Sequence, residues 1–442
     1  MLLLHISDIH FSDPICHTQM DPDLPYRTAL VQDVERKMTE LGRVEVILVT
    51  GDIAFHGLAS EYKAAFSWLM ELSRACGCPA ENIFVVPGNH DVDRDVILKK
   101  ANVRNAHHAV LHLPTDAKGR EQEFLRQLYD PEVKKVLLEP VQAYDEFAAR
   151  FGCQLYLPEQ LFWTKDFPLD SCFVLKIYGL TSTLFSGAGS PDKEDDKPNS
   201  LYMSPFQTVF NPANGLIALS MCHHPPDWFI DHEPVDEAFR DRVTIQLFGH
   251  RHRQRAVKDE KYVRFSAGAV NPNRYEPAWE PGYNLIGLAV ELEEGHYFLR
   301  VESHVMVWQT NPGLFRRKEY PGGKDVFQHR ILLPGQPPAP LRKSKPAGHI
   351  ERVADFEEYD GVVRPPLGTE ADVSDSRTRN LVFRFWQLSS SQRREISSRL
   401  GLIDEDDMKL LEPERYGRAF QRAKERGLVQ RLSDEIDGME RR

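Results

Sequence analysis

Five short polar signatures stand in order along the first 252 residues, and each begins where an apolar run ends. They are Asp8-Ile9-His10, Gly51-Asp52, Gly88-Asn89-His90-Asp91, His223-His224-Pro225 and Gly249-His250-Arg251-His252. The first three follow Leu2 to Ile6, Val44 to Thr50 and Ile83 to Val86, short runs of the kind expected of strands covered on both faces. Helical spacing separates them. Ala29 to Leu41 places Leu30, Val31, Val34, Met38 and Leu41 on one side and stops at Gly42, and Glu61 to Ala75 ends before Gly77. Strand–helix–strand–helix–strand is an α/β beginning. In α/β sheets ligands gather beyond the carboxyl ends of strands, so five such loops converge on one place.

All five signatures are built of Asp, His and Asn, the oxygen and imidazole donors that suit borderline divalent transition metals. If the segments are extended, residues i and i+2 point the same way. Asp8 and His10 then grip one ion together, as do His250 and His252. Gly51, Gly88 and Gly249 precede ligands where the chain must turn or approach the ions closely. Two cations about 3.5–4 Å apart need a bridging carboxylate, for which Asp52 is the candidate. Such a pair holds a bridging hydroxide and neutralises an in-line phosphoryl transition state. His90, beside the ligand Asn89, is placed to protonate the leaving alkoxide, with Asp91 as an orienter of its ring. Taken singly each signature is weak, since a Gly-Asp is usually a turn and Asp-x-His is common. It is the ordered set at strand ends that carries the reading.

The rest of the chain sorts into three parts. Residues 95 to about 170 are helical and charged, an insertion beside the core, within a domain that runs from 1 to 308. Strand-like runs resume at Cys172–Leu180, Leu216–Met221, Val243–Phe248, Val263–Ala267, Leu285–Val290 and Tyr297–Val305, with a Gly/Pro/Asp/Lys-rich loop at 187–200. Residues 309–378 read as a Pro/Gly-rich linker, Pro334 to Pro340 being its densest part. Residues 379–442 read as a small helical module opened by a Ser389–Gln392 capping box. The six cysteines show no metal-knuckle spacing and suit reduced, mostly buried thiols. No stretch approaches the ~20 apolar residues that span a bilayer, and Met1 to Ile6 is too short for a signal-peptide core. A cytoplasmic protein without a membrane partner is expected. A formal net charge of −11 argues against a broad non-specific nucleic-acid surface.

With these residues on the page, the chain resembles the calcineurin-like metallophosphoesterase superfamily over roughly residues 1 to 305. The resemblance implies a four-layer αββα sandwich. It also implies a first metal on Asp8, His10, Asp52 and His252, and a second on Asp52, Asn89, His223 and His250. His-x-Pro selects His223, which leaves His224 as a substrate contact or a hydrogen-bonded turn residue. The metals are two divalent transition ions, manganese first among them, with iron, zinc, nickel and cobalt also suited. Asp91 in place of Glu, and Gly51-Asp52-Ile53-Ala54-Phe55-His56-Gly57, depart from the protein serine/threonine phosphatases. No metal-ligand tyrosine follows Gly51-Asp52 as in purple acid phosphatases. What remains is similar to the phosphodiesterase and nuclease branch.

Two enzymatic readings and one adaptor reading follow. The first is a phosphodiesterase for a nucleotide or other small phosphodiester. The alternative is a metal-dependent DNA or RNA nuclease, for which Arg251, Arg253, Arg255 and Lys258 would meet a phosphate backbone; a solvated strand edge explains the same run. The module at 379–442 would recruit a protein partner, since it faintly resembles helical adaptor domains of bacterial conflict and signalling systems. Otherwise it packs back on the catalytic domain.

Overall fold

A computed structural model of the chain describes residues 1–155, 161–187, 196–272, 280–320, 323–333 and 376–441. The elements begin β1 (Leu2–Ile6), α1 (Leu24–Leu41), β2 (Val46–Val49), α2 (Ala59–Cys76) and β3 (Ile83–Val85). Five helices follow: α3 (Arg94–Lys99), α4 (Ala101–Leu111), α5 (Ala117–Tyr129), α6 (Pro131–Leu138) and α7 (Gln142–Ala149). Then come β4 (Phe162–Pro168), β5 (Val174–Leu180), β6 (Leu216–Cys222), α8 (His232–Arg242), β7 (Ile245–Phe248), β8 (Arg255–Lys258) and β9 (Val263–Ser266). The sheet strands end with β10 (Gly282–Glu293), β11 (His296–Thr310), β12 (Gly313–Arg317) and β13 (Phe327–Leu332). Last are α9 (Ser376–Gln387), α10 (Ser390–Arg399), α11 (Glu412–Glu425) and α12 (Val429–Glu440).

The strands make two mixed sheets. One has the order β12-β11-β10-β1-β2-β3 with β13 also on β11, and the other β4-β5-β6-β7-β9-β8. β1, β2 and β3 are parallel, and so are β5, β6, β7 and β9. Every residue of β1, β2, β3 and β7 is buried, which is why these strands read as unbroken apolar runs. Leu4, Leu48 and Phe84 of the first sheet share a core with Ile177, Leu219 and Leu247 of the second, and Leu30, Val34 and Leu69 of α1 and α2 join it. The other face of the second sheet packs Tyr178, Ala218 and Phe248 against Val235 and Phe239 of α8. The result is helix–sheet–sheet–helix. At the sheet edges, the Trp163 indole N–H on β4 donates to the Val85 carbonyl at the end of β3, 3.1 Å away.

Two stretches differ from the sequence expectation. The insertion is helical only from Arg94 to Ala149. The segment to 170 contains β4, in which Trp163 and Phe167 are buried while Lys165 and Asp166 interrupt the apolar pattern. The linker expected from 309 instead supplies β12 and β13, both antiparallel to β11. Asn311-Pro312-Gly313 sits at a hairpin corner, and such turn chemistry has the same composition as a tether. Pro334 to Pro340, the rest of that stretch to residue 375, and residues 188–195 of the Gly-rich loop lie outside the described residues.

Helices α9–α12 close on a core of their own, with Phe385, Trp386, Ile396, Tyr416 and Ile436 at its centre. Ser389 caps α10 through the expected reciprocal box with Gln392. The module also rests on the two-sheet part. Phe383 stacks near Phe66 of α2 and packs against Phe151, both at 6.4 Å between ring centres, and Arg379 lies over Phe167 at 4.4 Å. Lys134 Nζ meets Glu414 at 3.0 Å. Among the described residues no helix is long and apolar enough to cross a membrane.

Candidate metal centre

The five signatures meet at the ends of β1, β2, β3, β6 and β7. The loops are laced by their own backbone. Asp8 and Ile9 N–H donate to the carbonyls of Gly51 and Asp52, at 3.0 and 2.8 Å, and Gly249 N–H donates to the His223 carbonyl at 3.0 Å. The expectation that Asp8/His10 and His250/His252 converge because their segments are extended is corrected. Asp8, His10, Asp52, His250 and His252 all have φ between 50° and 65°. They are five of the seven non-glycine residues with positive φ among the described residues. A left-handed backbone costs of order 1–3 kcal/mol per non-glycine residue, and such costs gather where a side chain must be aimed. Space is also tight. A Cβ on Gly88 would lie 2.1 Å from Asp52 Oδ1, and one on Gly249 would lie 2.2 Å from Ser7 Oγ.

Two donor groups result. Asp8, His10, Asp52 and His252 bring donor atoms within 4.8 Å of one another, and so do His223, His224 and His250. Asp52 links them, its Oδ2 lying 3.4 Å from His10 Nε2 and 3.3 Å from His223 Nε2. Asn89 Oδ1 stands 3.0 Å from both His223 Nε2 and His250 Nδ1. Backbone carbonyls orient the rings from behind: Thr50 takes His223 Nδ1 at 2.8 Å, and Asn271 takes His10 Nδ1 at 3.1 Å. That leaves each Nε2 aimed inward, the arrangement in which outer partners set a metal-binding tautomer.

The electrostatics ask for cations. Burial opposes ionisation of Asp8 and Asp52. Imidazoles nonetheless hold Asp8 at about 2, chiefly through His252, and Asp52 well below the usual carboxylate range, chiefly through His223 and His90. His223 is pushed up to about 9 by Asp52 and Asp8 despite its own burial, and its proton stands where positive charge is wanted. Neither oxygen of buried Asp8 accepts a hydrogen bond of normal geometry, although His252 Nε2 is 3.1 Å from Oδ1. A buried carboxylate among inward-facing imidazoles fits divalent metal, whose binding would displace those protons.

His90 and Asp91 part company. The His90 ring is held by the Phe55 carbonyl, 2.9 Å from Nδ1, and stacks on the Phe55 ring at 4.8 Å, while its backbone N–H donates to Asp52 Oδ1 at 2.8 Å. Asp91 does not orient that ring. Its carboxylate accepts from the N–H groups of Ile53, Ala54 and Gly88 and from the Tyr62 hydroxyl. His224 is buried, with Nδ1 2.9 Å from Ser182 Oγ and an unpartnered Nε2 3.9 Å from Asp196 Oδ2. Its ring centre is 4.3 Å from that of His250. Arg251 pairs with Asp227 and lies over Trp228 at 5.2 Å, Arg253 is exposed, and Arg255 and Lys258 are exposed on the edge strand β8.

Sequence reasoning passed over Phe55, Tyr62, Thr50 and Asn271, most of which act through a carbonyl or from another element and leave no local pattern. It also passed over Arg94, whose buried Nε and Nη2 are unpartnered and which follows the third signature by three residues. That spacing was the available signal.

The family model of the calcineurin-like phosphoesterases matches residues 1–254, and that of the GTPase-associated adaptor domain matches residues 377–438. No curated protein matches the chain. Among solved structures it is similar to a Vps29 single mutant from Entamoeba histolytica, at 13% identity and a TM-score of 0.27, covering 76% of this chain and 100% of that one. A predicted phosphoesterase from Streptococcus pneumoniae TIGR4 aligns at 12% identity and a TM-score of 0.27, covering 75% and 97%. GAP50 of Plasmodium aligns at 9% and 0.37, covering 76% and 90%.

Proposed function

The chain belongs to the calcineurin-like phosphoesterase family, and from that premise we propose that it hydrolyses phosphodiesters with the help of two divalent cations, its substrate being a nucleotide or another small phosphodiester. The observation that carries the reading is Asp52, placed with one oxygen between His10 of one donor group and His223 of the other. The first ion would take Asp8, His10, Asp52 and His252, and the second Asp52, Asn89, His223 and His250. Manganese is the first ion to test, with iron, zinc, nickel and cobalt also suited to this donor set. When bound, such a pair supplies Lewis acidity, which activates water and offsets charge on the phosphoryl oxygens.

The chain's own groups do the rest. With Nδ1–H given to the Phe55 carbonyl, His90 presents Nε2 to the leaving oxygen and delivers a proton there. Asp91 serves the same step at one remove, by tying the second and third signatures together through backbone amides. His224, Arg251 and Arg253 would face the substrate. The net charge of −11, together with the pairing of Arg251 to Asp227, favours a small substrate over a long polyanion. The C-terminal module would bring the enzyme to a protein partner. The description of the matching adaptor family makes a GTPase the class to test.

The test is a turnover panel with manganese: bis-aryl and mono-aryl phosphate, cyclic nucleotides, single- and double-stranded DNA, and RNA. The expected outcome is hydrolysis of small diesters that tolerates salt. Asp52→Asn should lose metal and activity, whereas His90→Ala should keep metal and slow mainly substrates with poor leaving groups. Preferred cleavage of DNA or RNA, falling steeply with salt, would replace this reading by the nuclease one. Unchanged metal content and turnover in Asp52→Asn would end both.

A further inference from the structure

A second set of metal-binding side chains lies on the segment between β1 and α1. Asp13, Cys16 and His17 bring a carboxylate oxygen, a thiol sulfur and an imidazole nitrogen within 4.8 Å of one another. His17 Nε2 is 3.2 Å from Asp13 Oδ1. The placement is built by the backbone. Cys16 N–H donates to the Ser12 carbonyl at 2.9 Å and His17 N–H to the Pro14 carbonyl at 3.3 Å, so one tight turn sets both side chains over Asp13. Glu61 of α2, fully buried, accepts the Asp13 N–H at 3.1 Å and the N–H groups of His56 and Leu58, which pins the turn to the helix.

An open cleft of about 460 Å³ is lined by Asp13 and His17 together with Ser60, Lys63, Ala64 and Ser67.

We propose that Asp13, Cys16 and His17 form a separate site for one zinc ion, with the remaining coordination position open to the cleft and filled by water. Three protein ligands of mixed S, N and O type and one open position form a familiar zinc arrangement. The thiolate also sets this site apart from the phosphoesterase centre, which has only oxygen and nitrogen donors: sulfur selects zinc over manganese. The site shares no residue with that centre and does not depend on its reading.

The full-length protein is stripped of metal and reloaded with manganese or with zinc, and bound metal is counted after desalting. Zinc should load one more ion per chain than manganese. Cys16→Ser and His17→Ala should each remove that extra zinc while leaving manganese content and diester turnover unchanged. Because a substitution could disturb the turn, the unsubstituted chain supplies a second readout. Zinc should slow alkylation of Cys16 by at least about tenfold relative to half-buried Cys172, followed by peptide mass. Equal zinc content in the variants, or alkylation of Cys16 at one rate with and without zinc, would overturn the site. Absence of diester turnover in the unsubstituted chain, with the extra zinc bound, would count against the phosphoesterase reading alone.

Discussion

The hydroxyl of Tyr62, on the second helix, donates to Oδ1 of Asp91 at 3.0 Å, from beneath the metal centre. Through that contact a helix that carries no candidate ligand braces two loops that carry one each, Asp52 and Asn89. Asp91 spends its remaining acceptor capacity on the amides of Ile53, Ala54 and Gly88, which flank Asp52 and Asn89. These contacts make Asp91 a brace between the loops rather than an orienter of the His90 ring, and they make the two residues separable by experiment.

Asp91→Asn places an amide NH₂ among backbone donors that need acceptors. Manganese affinity is expected to fall about 10–100-fold, as when outer partners of metal ligands are removed. Tyr62→Phe removes one of several bonds and should cost only about 1 kcal/mol of stability. Manganese titration and urea unfolding of both variants check this, and equal metal affinity of Asp91→Asn and the unsubstituted chain would contradict the bracing role.

Gly249→Ala would put a Cβ 2.7 Å from the Thr50 carbonyl oxygen as well as against Ser7. Thr50 also holds His223, so the clash reaches a donor of the second group. A loss of at least about tenfold in kcat/KM is expected, since misplacement by an ångström costs that or more. Retained activity with a superimposable crystal structure would show that the close approach is not needed.

Asp145 on α7 is buried, and burial pushes its carboxyl up to about 7, with Glu146 and Glu414 adding to the shift. Between the unfolded value near 4 and that folded value the native state binds the extra proton, so stability falls as pH rises through this window and the loss persists above it. The Asn variant keeps the Oδ1 that accepts the Leu155 amide and has no proton to lose. Relative to the unsubstituted chain it should gain stability as pH rises from about 4 to about 7, by up to about 4 kcal/mol in all. Urea unfolding across that range decides it, and parallel pH profiles would refute it.

Phe383→Asp puts a charge between Phe66 and Phe151, where the helical module rests on the larger domain. The module keeps its own core, so its helices should persist while their protection against hydrogen exchange at the shared face falls by about tenfold or more. Unchanged exchange in the seventh and ninth helices would mean that the contact contributes nothing to docking.

Much of this molecule was legible before any fold was in view. The buried strands announce themselves because a strand covered on both faces has to be apolar throughout, and the five signatures announce the site because they occupy strand ends. The strand at Phe162–Pro168 was hidden by Lys165 and Asp166, and the last two strands by turn residues that look like linker.

From the chain alone come the α/β architecture, the terminal helical module and the identity of the clustered Asp, His and Asn side chains, since periodicity and donor chemistry are local properties. Only the tertiary structure decided how those side chains are aimed. Five of them sit in left-handed backbone, a state that each residue disfavours and that is held by contacts from loops distant in sequence. Likewise, Asp91 turns toward Tyr62 rather than the imidazole beside it, because a carboxylate goes where the donors are, and here the donors come from other elements.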